Sequence, residues 1–271
     1  MTPDAFTVGI FAGTVRTIGP TPAIDRLVAV ARAAAEDAFC PHPPEHAEWT
    51  LPPPAFQDAA RAAVSRFAED PATRDAWLEI VGALGFAADA LYFDRLKLRI
   101  QPSQPSHRGR RTSPLPPHRD TWGSNIAAQI NWWGPVYPLA DERTMWLWPG
   151  LFDRPVRNTS ADWDLAALRR LSMAGQAGGY PLLPEAAEMP DRAMGQPVRI
   201  EPGQIIAFSA AHLHASADNT SGRTRFSIDT RTVWQSDLAA GRGAPNVDGA
   251  APRVGWDLFQ RLTDGAPLEA S

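Results

Sequence analysis

Apolar residues recur at helical spacing through the first third of the chain. Thr21-Pro22 signals a helix start, because Thr caps a first turn and Pro fits its first position. The apolar positions after it lie three or four residues apart and are Ile24, Leu27, Val28, Ala31 and Ala35. A second helix is predicted over 56–68, after three consecutive prolines, and a third is predicted to open at Asp70-Pro71. We therefore expect a layer of helices ahead of the strands.

The repeat of the pattern changes to two residues near Leu91. Arg95, Lys97 and Arg99 alternate with apolar neighbours, which is typical of a strand with two different faces. Further strands are predicted around His118 and over 127–133, 144–148, 205–208, 212–217 and 225–233. Two more helices are predicted, over 160–174, ended by Gly175, and over 256–262. The predicted fold class is mainly β with flanking helices.

Composition narrows the class of protein. Hydrophobic residues make up 44% of the 271 residues and charged residues 21%, enough for a core of normal size. The net charge of −4 gives no basic field for nucleic acid, and no stretch is apolar and long enough to cross a bilayer. The single Cys40 excludes a disulfide framework, and the first residues lack the basic segment of a signal peptide. We expect a cytoplasmic protein with a small-molecule partner, and the pattern says nothing about its oligomeric state.

No clear domain boundary interrupts the chain. We expect a single domain over 1–271. Within it, the pattern predicts a helical layer over 1–90, a core over 91–234 with a helical insert near 160–190, and a C-terminal extension over 235–271.

His118 and Asp120 form a His-x-Asp pair in the predicted strand. Residues i and i+2 of a strand project from the same face, so the imidazole and the carboxylate are expected side by side. Two histidines and one carboxylate form the facial triad of non-haem Fe(II) oxygenases. A His-x-Asp pair alone also fits a surface histidine beside a solvated aspartate, so the hypothesis depends on a third ligand downstream.

Six histidines are available, and two of them remain as candidates for that third ligand. His42 and His46 lie in a Pro-rich loop between helices, and His107 lies in a basic loop. His212 and His214 lie in one predicted strand, two residues apart. Both therefore face the same side, and strand geometry does not choose between them.

The run that begins at His214 carries a resemblance to a known family. It reads His-x-Ser-x-x-Asn-x-Ser, with Arg225 eleven residues after the histidine, and this resembles the distal motif of the phytanoyl-CoA dioxygenase-like family. Counting from His212 breaks the match. The turn at Pro202-Gly203-Gln204 resembles the family's Pro-Gly-Asp, with Gln204 in place of Asp. Trp148-Pro149-Gly150 resembles the family's Pro-Gly-Ser-His strand end, although Leu and Phe replace Ser and His. The resemblance covers about 91–234 in the right order.

The resemblance implies a double-stranded β-helix, the jelly-roll of Fe(II)/2-oxoglutarate dioxygenases. It also implies that His118, Asp120 and His214 hold the iron, and that Arg225 with Ser216 binds oxoglutarate. The polar strand that carries Lys97 and Arg99 is implied as a further part of the cofactor site. Arg231, on the same strand face as Arg225, is a competitor for the oxoglutarate carboxylate.

The implied reaction consumes oxoglutarate and O2 and releases succinate and CO2. It oxidises, most simply by hydroxylation, an unactivated C–H bond of a small or carrier-bound metabolite, which we expect to be anionic. Desaturation, cyclisation and epoxidation use the same chemistry and stay open. A halogenase is disfavoured, because such enzymes lack the carboxylate ligand and Asp120 is present. A cupin-like binding protein without turnover is disfavoured by the presence of Arg225.

A basic loop precedes the His-x-Asp pair. Positions 102–117 are rich in Pro and Ser and carry Arg108, Arg110 and Arg111 without an acid. A loop of this length is usually functional or disordered, so we expect a mobile lid whose arginines contact an anionic substrate. The alternative is a solvated loop without a ligand. Trp122 is a candidate for the wall of the substrate cavity, since pockets favour aromatic walls.

Overall fold

The computed structural model describes residues 2–269. Its N-terminal part contains helix α1 (Pro3–Phe11), strand β1 (Arg16–Ile18) and helices α2 (Pro22–Phe39), α3 (Pro53–Glu69) and α4 (Pro71–Ala83). The Thr21 hydroxyl accepts a hydrogen bond from the main-chain N–H of Ile24, and the Asp70 carboxylate accepts one from Ala72. Both predicted helix starts are thus confirmed, because each side chain takes up an N–H that the first turn leaves unpaired.

The rest of the chain alternates strands with short helices. It contains β2 (Leu91–Phe93), β3 (Lys97–Gln101), α5 (Thr121–Ser124), β4 (Gln129–Pro135), β5 (Met145–Leu147) and α6 (Leu165–Met173). These are followed by β6 (Gln196–Pro197), β7 (Ile205–Ser209), β8 (His214–Ser216), β9 (Arg225–Trp234), α7 (Gln235–Ala239) and β10 (Gln260–Arg261). Short 3-10 helices span Pro44–Trp49, Pro105–His107, Asp141–Arg143, Pro149–Leu151, Ala177–Gly179, Arg192–Met194 and Trp256–Leu258.

Two antiparallel sheets lie face to face. The larger has the order β1-β7-β4-β9-β2-β10, with β3 also paired to β9, and the smaller has the order β6-β5-β8. A bridge between His118 and His214 adds one more segment to the smaller sheet. Eight successive segments, from β3 through the His118 bridge to β9, therefore form a jelly-roll of two sheets. The predicted fold class is confirmed.

The helical layer covers one face of the larger sheet. Phe6, Phe39, Phe56 and Trp77 are buried against it in one core that includes Trp132 of β4. The opposite face of the sheet points toward the smaller sheet, where Trp133 and Phe208 pack with Met145 and Leu147. Polar side chains of β3 and β9, among them Lys97, Arg99, Arg225 and Arg231, line one cavity.

Several predicted elements differ from the structure. Neither α1 nor β1 was predicted, because the apolar residues of α1 are not confined to one helix face and β1 has only three residues. The predicted helix over 256–262 is wrong: a 3-10 turn ends at Leu258 and β10 follows. The predicted strand at His118 is a single bridge. Within residues 2–269, no helix is both long and apolar enough to cross a membrane.

Candidate active site

Three side chains from separate segments meet between the two sheets. One nitrogen of His118, one nitrogen of His214 and one oxygen of Asp120 all lie within 4.8 Å of one another. The His214 Nε2 atom is 3.7 Å from Asp120 Oδ2. The main-chain N–H of each histidine donates to the carbonyl of the other at 2.9 Å, which fixes their backbones relative to each other.

Asp120 reaches this point by a different local geometry from the one predicted. Its backbone is helical (φ −66°, ψ −27°), and it caps the N-terminus of α5. The expected strand alternation between His118 and Asp120 is therefore wrong, although the two side chains do converge. The chain turns immediately after the bridge residue, and this turn directs the carboxylate toward the imidazoles.

Hydrogen bonds orient both imidazole rings. His118 Nδ1 donates to the Pro116 carbonyl at 2.7 Å, and His214 Nδ1 donates to the His212 carbonyl at 2.9 Å. A carbonyl oxygen only accepts, so Nδ1 carries the hydrogen and Nε2 keeps its lone pair. Burial lowers the pKa of His118 to about 3, assisted by the neighbouring His214, and burial also lowers the pKa of His214. Both rings are therefore neutral donors of an electron pair.

Two donors from adjacent strands hold the Asp120 carboxylate. Asn131 Nδ2 donates to Oδ2 at 2.5 Å, and Arg231 Nη1 donates to Oδ1 at 3.3 Å. Burial alone would raise the pKa of Asp120, but Arg231 and His214 outweigh it and hold that pKa well below its ordinary value. Asp120 is therefore ionised. The sequence signal for Asn131 is a pair of amides, Gln129 and Asn131, in a buried strand whose other residues are apolar.

A second carboxylate anchors the arginine that holds Asp120. Arg231 Nε donates to Asp94 Oδ2 at 2.6 Å, and Lys97 Nζ lies 2.6 Å from the same oxygen. Residues 94–96 face only residues 230 and 231, because Phe93 pairs with Thr232 and Lys97 with Asp229. Three residues of the β2–β3 segment therefore lie opposite two residues of β9. The extra residue forms a β-bulge, which is centred on Arg95 at φ +30°. It brings Asp94 to the same side of the sheet as Lys97, and it removes Arg95 from the predicted alternation.

Arg225 is a buried cation without a carboxylate partner among residues 2–269. Its side chain is 5% exposed. Nη1 donates to the Thr144 carbonyl at 2.9 Å and Nη2 to the Ser216 hydroxyl at 3.3 Å, while the buried Nε has no acceptor. Burial, with help from Arg99, lowers the pKa of Arg225 to about 9. A desolvated guanidinium without a counter-ion is costly unless an anion joins it.

The other basic residues of this sheet face are already paired. Lys97 pairs with Asp94, Arg99 pairs with Asp229, and Arg231 pairs with Asp94 and Asp120. Arg231 is therefore committed to carboxylates of the protein, whereas Arg225 has no carboxylate partner within residues 2–269. Lys97 and Arg99 line the same cavity as the triad, but their charges are matched within the wall.

His212 points away from the triad formed by His118, Asp120 and His214. It is fully buried in the turn before β8, where Nδ1 lies 3.2 Å from the Ser209 carbonyl and Nε2 3.1 Å from the Gly13 carbonyl. The assumption that His212 and His214 share one strand face is wrong, because the strand begins only at His214. His212 reaches the metal-ligand candidates through its main-chain carbonyl, which accepts the hydrogen bond from His214 Nδ1.

One large cavity opens at the triad. It has a volume of about 1320 Å³ and is lined by the three candidate ligands, Arg225, Ser216, residues of α3 and α6, and the C-terminal segment around β10. Trp122 does not line it. That indole is fully buried and donates to Asp248 at 2.6 Å, so the structure does not bring it to a substrate.

The arginines of the basic loop lie in two environments, because some bind other segments of the protein and one lines the cavity. Arg108 donates to Asp218 at 2.9 Å, and Arg110 donates to the Tyr180 carbonyl at 2.7 Å. The buried His107 Nε2 lies 2.9 Å from the Leu51 carbonyl. Arg111 is exposed and is the arginine of this loop that lines the cavity. Tertiary contacts thus supply the acids and acceptors that the loop sequence lacks, and its role as a mobile lid stays a prediction.

Comparisons with known proteins give structural similarity only. No protein-family model and no curated protein matches the chain, so membership of the phytanoyl-CoA dioxygenase-like family stays a prediction. The fold is similar to EvdO2 from Micromonospora carbonacea var. aurantiaca complexed with 2-oxoglutarate, at 14% identity and a TM-score of 0.49, over 86% of this chain and 92% of that one.

Two further solved structures are similar at the same level. The epimerase SnoN in complex with Fe3+, alpha-ketoglutarate and nogalamycin RO has 16% identity and a TM-score of 0.47, over 96% of this chain and 99% of that one. The non-haem monooxygenase ThoJ in its apo form has 19% identity and a TM-score of 0.42, over 84% and 77%. At these values, the activities and ligands of the three proteins do not transfer to this chain.

Proposed function

We propose that the protein is an Fe(II)/2-oxoglutarate-dependent oxygenase that hydroxylates a C–H bond of a small molecule. One observation carries the proposal. Two buried, neutral imidazoles and one partly buried, ionised carboxylate share a cavity with a buried, uncompensated guanidinium.

The donor set fits a divalent iron. His118 and His214 each offer Nε2, with Nδ1 held by a carbonyl, and Asp120 offers a carboxylate oxygen held by Asn131 and Arg231. Two imidazoles and one carboxylate are the ligands of non-haem Fe(II) oxygenases, which keep open positions for cosubstrate and O2. When bound, such an iron supplies the activation of O2 that the side chains of the protein do not.

Arg225 fits the distal carboxylate of oxoglutarate. A guanidinium presents parallel N–H donors that match a carboxylate, and Ser216 places a hydroxyl beside them. The anion would offset the cost of burying Arg225 without a counter-ion. Lys97 and Arg99, already matched by Asp94 and Asp229, would contribute to the field around the cosubstrate rather than to a direct contact.

The overall reaction would join oxoglutarate, O2 and a substrate C–H bond to give succinate, CO2 and an alcohol. The chain's own contribution is placement and the exclusion of water. His118 and Arg225 are buried and Asp120 is partly buried at the inner end of a cavity, so the reacting groups would meet largely away from bulk solvent.

Arg225→Met separates this proposal from a structural role for the guanidinium. Loss of one partner of a buried charge pair costs about 2–5 kcal/mol of binding free energy, so oxoglutarate affinity should fall by roughly 30-fold or more. Stability of the protein without cosubstrate should stay level or rise, because an unpaired buried charge is removed. Calorimetric titration of oxoglutarate with Mn(II) present, together with thermal unfolding, measures both quantities.

Arg108→Met is the matched control, since Arg108 pairs with Asp218 and does not line the cavity. Equal oxoglutarate affinity for the Arg225→Met variant and the parent would overturn the cosubstrate assignment. An aerobic assay with Fe(II), oxoglutarate and a panel of candidate substrates then reads the reaction itself, as succinate formed and product mass increased by one oxygen.

A further inference from the structure

The geometry points to the class of substrate: an amphipathic anion, with an apolar body and a carboxylate, sulfonate or phosphate group bound by Arg95 and Arg111. This inference rests on the proposed function, because it assumes that the inner end of the cavity holds the metal and oxoglutarate. It concerns the outer part of the same cavity.

The cavity is larger than the cosubstrate needs. Its volume of about 1320 Å³ exceeds that of an ordinary small-molecule pocket, roughly 300–1,000 Å³. Oxoglutarate is a small diacid and would occupy the end between the triad and Arg225. Most of the volume therefore remains for a second molecule of considerable size.

The charge of the cavity wall is opposite to that of the whole chain. Nine arginine and lysine side chains and five carboxylates line it, in a protein of net charge −4. A divalent metal and a dianionic cosubstrate would cancel each other, so an excess of four positive charges would remain. Such a local field favours and steers an anionic ligand.

Seven of the nine cations have partners. Carboxylates pair with five of them, which are Arg61, Lys97, Arg99, Arg231 and Arg261. Arg74 donates to the main-chain carbonyl of Leu262 at 2.6 Å, and Arg225 is assigned to oxoglutarate. Only Arg95 and Arg111 are left among the cavity residues that the structure describes.

Arg95 and Arg111 are both exposed, and within residues 2–269 neither guanidinium has a hydrogen bond or an ion pair. Arg95 is held at the bulge in a left-handed conformation that is costly for an arginine. Arg111 lies in the last part of the basic loop, just before the chain enters the triad. Each of the two guanidinium groups on the cavity wall can therefore offer N–H donors to an anionic group of a ligand in the cavity.

The insert and α3 add partly exposed apolar side chains to the cavity wall. Leu168 of α6, with Leu182 and Leu183, lines the cavity while remaining partly exposed, and Val64 of α3 does the same. Partly exposed leucines that converge on one cavity favour an apolar ligand surface. The same cavity therefore offers an apolar surface and free cations.

Two dyes with the same ring skeleton test this class of substrate. 8-Anilino-1-naphthalenesulfonate carries an anionic group, and N-phenyl-1-naphthylamine is its neutral counterpart. Both are titrated by fluorescence into the protein saturated with Zn(II) and oxoglutarate, which occupy the inner end. The Arg95→Gln/Arg111→Gln variant should bind the anionic dye roughly tenfold more weakly and the neutral dye unchanged, and 0.5 M salt should weaken only the anionic dye.

Arg170→Gln/Arg253→Gln is the control variant, because it removes the same charge from exposed positions that do not line the cavity. Leu182→Ser/Leu183→Ser should weaken both dyes. The inference would be overturned if both arginine variants lost the same affinity for the anionic dye. It would also be overturned if the Arg95→Gln/Arg111→Gln variant lost the same affinity for both dyes, or if the parent did not bind the anionic dye. Titrations are repeated without Zn(II) and oxoglutarate. If oxoglutarate gives no thermal shift while the dye preference persists, the proposed function fails and the anion site stands.

Discussion

Two adjacent strands supply the donors that hold the Asp120 carboxylate. Asn131 and Arg231 face each other in the β4–β9 register, and each donates to one oxygen of Asp120. Asp94 binds the other side of the Arg231 guanidinium. Loss of a residue that orients a ligand in this way commonly weakens metal binding by about 10–100-fold.

Asp94→Asn should weaken Co(II) binding roughly tenfold. Arg231 would lose its second carboxylate and bind Asp120 alone, so the metal would have to compete with this guanidinium for the Asp120 carboxylate. Calorimetric titration of Co(II) measures the change. Asp229→Asn is the matched control, because Asp229 lines the same cavity and hydrogen-bonds to Arg99. Equal affinities of the two variants for Co(II) would contradict the role of Asp94.

His214→Ala and His212→Ala should have opposite effects on metal and stability. His214→Ala should abolish stoichiometric metal binding, because it removes one of three converging donors. His212→Ala should retain metal and lose about 1–3 kcal/mol of unfolding free energy, because the neutral ring donates to one of two buried carbonyls and that carbonyl loses its donor. Metal content and urea unfolding are the measurements. Metal lost from the His212 variant alone would reverse the ligand assignment.

At the scale of elements, the bulge between β2 and β3 links sheet geometry to the site. Without the extra residue, strand alternation would put Asp94 and Lys97 on opposite faces. With it, both reach Arg231 and the cavity. The bulge therefore determines which carboxylate supports Asp120.

Arg95→Val should destabilise the protein by about 1–3 kcal/mol, because a β-branched residue is poorly tolerated at positive φ. Arg95→Asn should be neutral or slightly stabilising, since Asn adopts this conformation more readily. Urea unfolding measures both variants. Equal stability for the two would mean that position 95 does not keep a left-handed backbone.

At the scale of the whole molecule, the N-terminal segment is part of the jelly-roll core. Strand β1 pairs with β7 over three residues, and Phe6 stacks on Trp132 of β4 with ring centroids 5.7 Å apart. The Gly13 carbonyl contacts His212, next to the triad. The helical layer and the sheet that carries the site therefore share one core.

Phe6→Ala should cost about 3–5 kcal/mol of unfolding free energy, the usual loss for a buried phenylalanine, because Phe6 is 4% exposed. Val8→Ala, on the same helix at 52% exposure, should change it little. Thermal and urea unfolding of the two variants check this difference. Similar losses would indicate that α1 is not packed on the sheet.

The sequence by itself determined what depends on near neighbours. Helix starts at Thr21 and Asp70 need only a capping side chain three or fewer residues from its partner. The strands β4, β7 and β9 follow from local runs and alternation. Sequence also singled out His118, Asp120 and His214, because two ligands two residues apart and a spaced downstream motif are short-range signals; the structure brings all three together.

Only the tertiary structure decided which polar groups are already satisfied. Arg231 lies 137 positions from Asp94 along the chain, and Arg108 lies 110 positions from Asp218. No local pattern reveals such pairs, so sequence alone did not show that Arg231 is committed or that Trp122 is buried. In the folded protein the other buried cations have partners, whereas Arg225 is desolvated, has no counter-ion within residues 2–269 and faces the cavity. The cost of a buried unpaired charge arises only once burial exists, and burial is a property of the whole fold.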